Sequence, residues 1–441
     1  MPTKIAPVKA DYPRILVAPP GPKAKLVIAK DKEFSSPSYI KEYPLVIAGG
    51  QGAMVEDVDG NRYIDWMAGI AVSSTGYQHP VVTKAVVEAA QKFLHICGTD
   101  FYYEGFSDLC EALAKSAPGG GKWRTFLSNS GTEAIEGAVK LARHHTKRHA
   151  LVSFHSSFHG RSYAGMSLSS SKVKYRKGFG PMLPEIYHLP FHNPYRNTLE
   201  DCIGAANDLF ATKLDPSEIA AVIMEPLQGE GGYVLPSKEF LQFWRKFCTD
   251  NGVLLVFDEV QSGAGRTGRM WACENFGVVP DVIVTAKGIG AGMPIGAIIA
   301  KESVMTWPRG SHGSTYGGNP VACAAALAAI GLIKTELAAN ALKMGERLLE
   351  GMKKLQAKHD CIGDVRGLGL FVGVELVKDR KTKEPAGELM ANLEQLAFTK
   401  GLLLLGCGKS TIRVAPPLVL TDYDVDKGLE IFDACLAELA A

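Results

Sequence analysis

"VLLVFDEVQSGAGRTG", residues 253–268, runs from five apolar residues straight into Asp258 and Glu259, then into a glycine-rich loop carrying Arg266. An unbroken apolar run of this length reads as a strand buried on both faces, the mark of a parallel sheet covered by helices. An unpaired buried carboxylate is costly, so Asp258 needs a partner where the strand ends. Further along, "DVIVTAKG" (281–288) repeats the pattern and ends on Lys287. The same strand–loop–helix alternation appears in "KWRTFLSNSG" before "TEAIEGAVKLARHH", in "HALVSFH", and in "AAVIMEP" (220–226). It predicts an α/β fold with a mainly parallel central sheet between about residues 120 and 300. In such sheets, ligands bind beyond the carboxyl ends of the strands. Four of these strands run into polar or reactive residues there: Ser130, Glu225, Asp258 and Lys287.

The flanks read differently. The Pro- and Lys-rich first 25 residues predict an arm lying on another surface. "GAMVEDVDGNRYIDWM" (52–67) alternates around Asp59-Gly60, a hairpin signal. "VVTKAVVEAAQKF" has helical periodicity. From about residue 330, helices mix with "VRGLGLFVGVEL" (365–376) and "STIRVAPPLVL" (410–420), which predicts a small α+β domain. The expected division is 1–73 for the arm and part of the small domain, 74–328 for the large domain, and 329–441 for the C-terminal small domain.

Composition excludes several classes. Lys plus Arg is 48 and Asp plus Glu is 46, a net +2 that offers no electrostatic handle for nucleic acid or an anionic membrane. The nine cysteines form no CxxC pair and read as free thiols in a reducing compartment. The most apolar stretch, "VACAAALAAIGLI" (321–333), falls short of the ~18 residues that span a bilayer and reads as a buried helix. A cytoplasmic enzyme is the expectation.

A lysine at a strand end in a cleft suits Schiff-base chemistry, because desolvation frees its amine. A buried aspartate suits a cation in the same cleft. "SNSGTEA" (128–134) puts Ser130, Gly131 and Thr132 at a helix start, where free amides favour a phosphate. Together these fit pyridoxal phosphate. Each residue alone has a plainer reading: Asp258 as a turn cap, Ser130 as a helix cap, Phe158 in "SFHGRSYAG" as a core aromatic. Histidines 144, 145, 149, 155 and 159 lack metal-ligand spacing, and no metal is expected.

The stretch from Val253 to Ala297 resembles the cofactor-lysine signature of class III (ω-amino-acid) aminotransferases, enzymes of fold type I. "NSGTEA", "FHGR", "EPLQGEGG", "HGSTYGGNP" and "IRVAPPL" match further landmarks in the same order, over residues 40 to 435. The resemblance implies a pyridoxal-phosphate transaminase working on small amino and keto acids as a homodimer, with its site at the interface. It implies Lys287 as the cofactor lysine and proton shuttle, Asp258 at the pyridine nitrogen, and Gln261 at the ring hydroxyl. Ser130, Gly131 and Thr132 would hold the phosphate, and Thr315 the phosphate of the neighbouring subunit. Phe158 would stack on the ring, with His159 and Glu225 beside it. Arg161 would take a distal carboxylate and Arg413 the α-carboxylate of glutamate, with Glu230 as the switch that pairs with Arg413 when an ω-amine is bound. Ile70, where ornithine aminotransferases carry a tyrosine, favours 4-aminobutyrate over ornithine as donor, with an ornithine/acetylornithine aminotransferase kept as an alternative. An α-amino-acid racemase or 2-epimerase on the same scaffold is the rival reading.

Overall fold

The computed structural model describes residues 11–440. Residues 1–10 of the expected arm lie outside it. The rest of that segment is partly helical: Pro22–Phe34 forms a helix with proline in its first turn, and Arg14 bridges antiparallel to Arg62. The hairpin read around Asp59-Gly60 is present. Strands β1 (Ile47–Gln51), β2 (Met54–Asp57) and β3 (Arg62–Asp65) pair antiparallel in order.

The central sheet has seven strands: β4 (Trp123–Ser128), β5 (Ala150–Phe154), β6 (Ile186–Leu189), β7 (Ile219–Met224), β8 (Leu254–Asp258), β9 (Val282–Thr285) and β10 (Gly296–Lys301). Their spatial order is β4-β10-β9-β8-β7-β5-β6. The run from β9 to β6 is parallel throughout; β10 alone is antiparallel to both its neighbours. Every residue of β5, β7, β8 and β9 is buried, as the unbroken apolar runs require.

Beyond it, β11 (Ile362–Leu368), β12 (Phe371–Leu376), β14 (Leu405–Cys407) and β15 (Thr411–Val414) form a separate four-stranded antiparallel sheet. The short strand β13 (Leu402–Leu403) instead pairs parallel with β3, so the first hairpin and the end of the chain share one sheet. The apolar stretch at 321–333 sits in a longer helical run, Pro320–Lys358, with a π turn at Ile333–Leu337. By length and composition it alone among the described residues could cross a membrane, but 56% of its apolar window is buried in the protein and it serves as a core helix.

Trp66, fully buried just past β3, lies against Gly428 in the last helix, Asp422–Ala440. A methyl at 428 would sit 2.1 Å from the indole. Gly428→Ala is therefore expected to destabilise the protein by about 1–3 kcal/mol, the usual cost of overpacking, read as a lower urea midpoint at unchanged m-value.

Candidate active site

The carboxyl ends of β4, β7, β8 and β9 open on one cavity of about 400 Å³. At β4 the chain turns through Asn129 and Ser130 into the helix Gly131–Thr146. The Ser130 hydroxyl accepts the Glu133 amide at 3.3 Å, so this serine is the helix cap, and it also lines the cavity. Gly131 and Thr132, at the first positions of the helix, line the cavity too, where an α-helix leaves its amides without intrahelical acceptors. Gly160 makes room for this turn: at φ +119, a Cβ there would lie 2.2 Å from Thr132 Oγ1.

Asp258 closes β8 and is nearly buried. Its Oδ2 lies 2.7 Å from His159 Nδ1, and its Oδ1 accepts the Val260 amide at 3.0 Å. Burial opposes charging of His159, yet the Asp258 hydrogen bond and charge hold the imidazole above its ordinary pKa. His159 Nε2 is buried with no hydrogen-bond partner among the described residues. Glu225, just past β7, accepts the amides of Phe158 (3.1 Å) and Gly229 (2.7 Å). Burial lifts its carboxyl to about 7, with the His159 charge opposing and the Asp258 charge adding.

Lys287 follows β9, half-buried in the cavity wall, and forms no ion pair among the described residues. Its φ of +46 is in the left-handed region, a strained setting for a side chain of this size. Desolvation lowers its amine from 10.5 to about 8; Asp258 resists the fall and Arg413 assists it. Gln261 lines the same cavity and accepts the Tyr233 hydroxyl at 2.7 Å, which orients its amide.

Apart from Thr315, the expected cofactor set therefore shares one cavity, Phe158 included. The expected substrate residues stand outside that lining. Glu230 Oε2 meets Arg413 at 3.0 Å, both buried. Arg161 is exposed, its guanidinium 5.0 Å from the Tyr175 ring centroid and 5.8 Å from that of Phe158. Ile70 lies in a left-handed turn, Ala68–Ala71, in which all four residues have positive φ. Asp65 holds that turn by accepting the Met67 and Ala68 amides, and Val72 after it reaches the cavity. Thr315 is exposed and outside the cavity of its own chain.

Two residues at this site escaped the sequence reading. Lys172 Nζ lies 2.8 Å from Glu230 Oε1, and the Tyr175 hydroxyl donates to the same oxygen at 3.3 Å. A Lys-x-x-Tyr turn in a charged loop carries no signal of its own, since its partner Glu230 is remote in sequence.

A family model described as Aminotransferase class-III matches residues 36–436. Among similar curated proteins is a 4-aminobutyrate aminotransferase of Mycobacterium tuberculosis, 40% identical over 97% of this chain and 98% of the relative. Another is the 5-aminovalerate aminotransferase DavT of Pseudomonas aeruginosa, 41% identical over 90% and 95%. An alanine/serine racemase of Pyrococcus horikoshii is 36% identical over 97% and 93%. Among solved structures, a Bacillus anthracis aminotransferase superposes with a TM-score of 0.88 at 30% identity, covering 94% of this chain and 99% of that one.

In protein stripped of bound small molecules, acetylation of Lys287 by acetic anhydride is expected to rise with pH and reach half its limiting rate near pH 8. Asp258→Asn removes a charge that raises the Lys287 pKa, so its midpoint should move lower. Site-resolved mass spectrometry across a pH series checks both.

Proposed function

The chain belongs to the class-III aminotransferases, and we propose that it moves the amino group of an ω-amino acid such as 4-aminobutyrate or 5-aminovalerate to 2-oxoglutarate, giving a semialdehyde and glutamate. The observation that carries this reading is Lys287, without an ion partner in one cavity with the Asp258–His159 pair and the start of the helix Gly131–Thr146.

The residues present fit pyridoxal phosphate. Ser130, Gly131 and Thr132 offer a phosphate cradle. Lys287 offers an amine that is neutral in appreciable part near pH 8. Asp258 offers a buried acceptor whose orientation His159 holds. When bound, pyridoxal phosphate supplies an aldehyde for amine exchange and a ring that draws off the electron pair left by proton removal. With the cofactor bound, Lys287 would take the proton from the substrate's amine-bearing carbon and return it to the carbon on the other side of the nitrogen, two atoms away. Asp258 would hold the pyridine nitrogen and favour its protonated form. Phe158 would cover the ring and Gln261 would donate to its hydroxyl.

Arg161 takes the distal carboxylate in a bidentate grip. Arg413 stays neutralised by Glu230 while an ω-amine reacts, and takes the α-carboxylate when 2-oxoglutarate enters. The nine unpaired cysteines support a cytoplasmic setting.

A homodimer completes the site. Phe101, Tyr102 and Tyr316 are 60%, 96% and 62% exposed around Thr315, an apolar surface suited to a second copy. The segments are tied together by Thr99 Oγ1 donating to the Ser314 carbonyl at 3.2 Å and by the His95–Tyr316 ring contact. Covered by its partner, Thr315 reaches the partner's phosphate. Thr315→Ala is expected to weaken retention of pyridoxal phosphate about tenfold while leaving the fold intact, measured as the equilibrium Kd of the dimer.

The racemase relative supports a second reading, and one assay separates them. Incubated with 4-aminobutyrate or 5-aminovalerate, the protein is expected to form glutamate only when 2-oxoglutarate is supplied. Lys287→Ala is expected to lower turnover by at least about 10³-fold, and to prevent borohydride from fixing pyridoxal phosphate to the chain. Asp258→Asn is expected to lower turnover by about 10²-fold. Loss of optical activity from an L-amino acid without any keto acid would establish the racemase instead.

A further inference from the structure

Glu230 is gripped from two sides. Its Oε2 faces Arg413 Nη1 at 3.0 Å, while its Oε1 faces Lys172 Nζ at 2.8 Å and accepts the Tyr175 hydroxyl at 3.3 Å. The carboxylate side chain is 10% exposed, the guanidinium 8% and the lysine 32%. Two cations therefore share one carboxylate in a poorly hydrated place.

The supports on both sides are anchored. The Ser170 and Ser171 amides donate to the Ser157 carbonyl at 3.0 and 3.1 Å, fixing the chain just before Lys172. The Glu230 carbonyl accepts the Gly408 amide at 2.8 Å, and Arg366 donates to the Gly232 and Tyr233 carbonyls. Glu230 can thus release Arg413 by a change of side-chain torsion, with its backbone held.

We propose that Lys172, assisted by Tyr175, is the second seat of the Glu230 switch: it holds the carboxylate when Arg413 turns to a substrate's second carboxylate. This rests on the aminotransferase reading above. The physical reason is charge balance. With Arg413 engaged elsewhere, a lone buried carboxylate would be left without a counter-ion, and Lys172 removes that penalty. Before a dicarboxylate binds, the trio carries a net +1; afterwards it is neutral. A monocarboxylate held at Arg161 leaves the trio closed. Lys172 acts through Glu230, as a positioning residue that sets the preference for dicarboxylates. The ring face of Tyr175, which carries the Arg161 guanidinium, places the seat beside the distal-carboxylate site.

The test needs no turnover. Isothermal calorimetry on the cofactor-loaded dimer compares glutarate, a dicarboxylate without an amine, with pentanoate, its monocarboxylate counterpart. Lys172→Met is expected to weaken glutarate about tenfold while changing pentanoate by less than about twofold, and Lys172→Arg to restore glutarate. In Lys172→Met/Glu230→Gln the trio again carries +1, so glutarate affinity should return to the wild-type level or better. Equal weakening of glutarate and pentanoate by Lys172→Met overturns the inference, because Lys172 would then act on the shared distal carboxylate. Failure of the double variant to recover also overturns it. A wild-type protein that binds no glutarate overturns the transaminase reading together with this inference, whereas wild-type binding with an indifferent Lys172→Met overturns this inference alone.

Discussion

An acid and an amine stand at the carboxyl ends of adjacent parallel strands, and the rest of the site depends on their not neutralising each other. Asp258 ends β8 and is already committed: one oxygen is at His159, the other on the Val260 amide. Lys287, past β9, has no ion partner and is held in a left-handed backbone conformation, its amine lowered to about 8 by desolvation. A free salt bridge between them would be stable and chemically inert. Engaging the aspartate with histidine leaves the amine available.

The same economy of charge governs the substrate side. Glu230, Arg413, Lys172 and Tyr175 come from three separate stretches of chain, and only the tertiary structure brings them within hydrogen-bond reach. Arg366 ties that loop down through its backbone, and Tyr233, stacked at 3.8 Å on Phe371, passes the constraint on to Gln261. The small antiparallel sheet thus positions groups on both the substrate and the cofactor sides. Strain at Ala68–Ala71 serves a similar purpose: Asp65 over-determines a turn that its residues would otherwise avoid, and Val72 is delivered to the cavity.

Much of this was legible in one dimension because parallel strands buried on both faces leave a simple record, a short apolar run ending in polarity. That record located β7, β8 and β9 and, with them, Glu225, Asp258 and Lys287, while β4, an edge strand paired only with antiparallel β10, was placed with Ser130 by the strand–loop–helix alternation. The plainer reading of Ser130 also holds: it caps its helix and lines the cavity at once. The antiparallel β10, with apolar residues like those of its parallel neighbours, carried no sign of its direction. The helix at Pro22–Phe34 was hidden because its mean hydropathy is low and its apolar residues form little of a stripe.

From its residues alone the chain settled its fold class, its central sheet and the identity of the acid and the amine, because strand burial and strand-end chemistry are local properties written in consecutive residues. Tertiary structure alone decided that His159 would hold Asp258, that the first hairpin would share a sheet with Leu402–Leu403, and that Lys172 would face Glu230. Those are pairings between positions far apart in the chain. Their energies depend on distance and burial in space, which no local pattern of residues encodes.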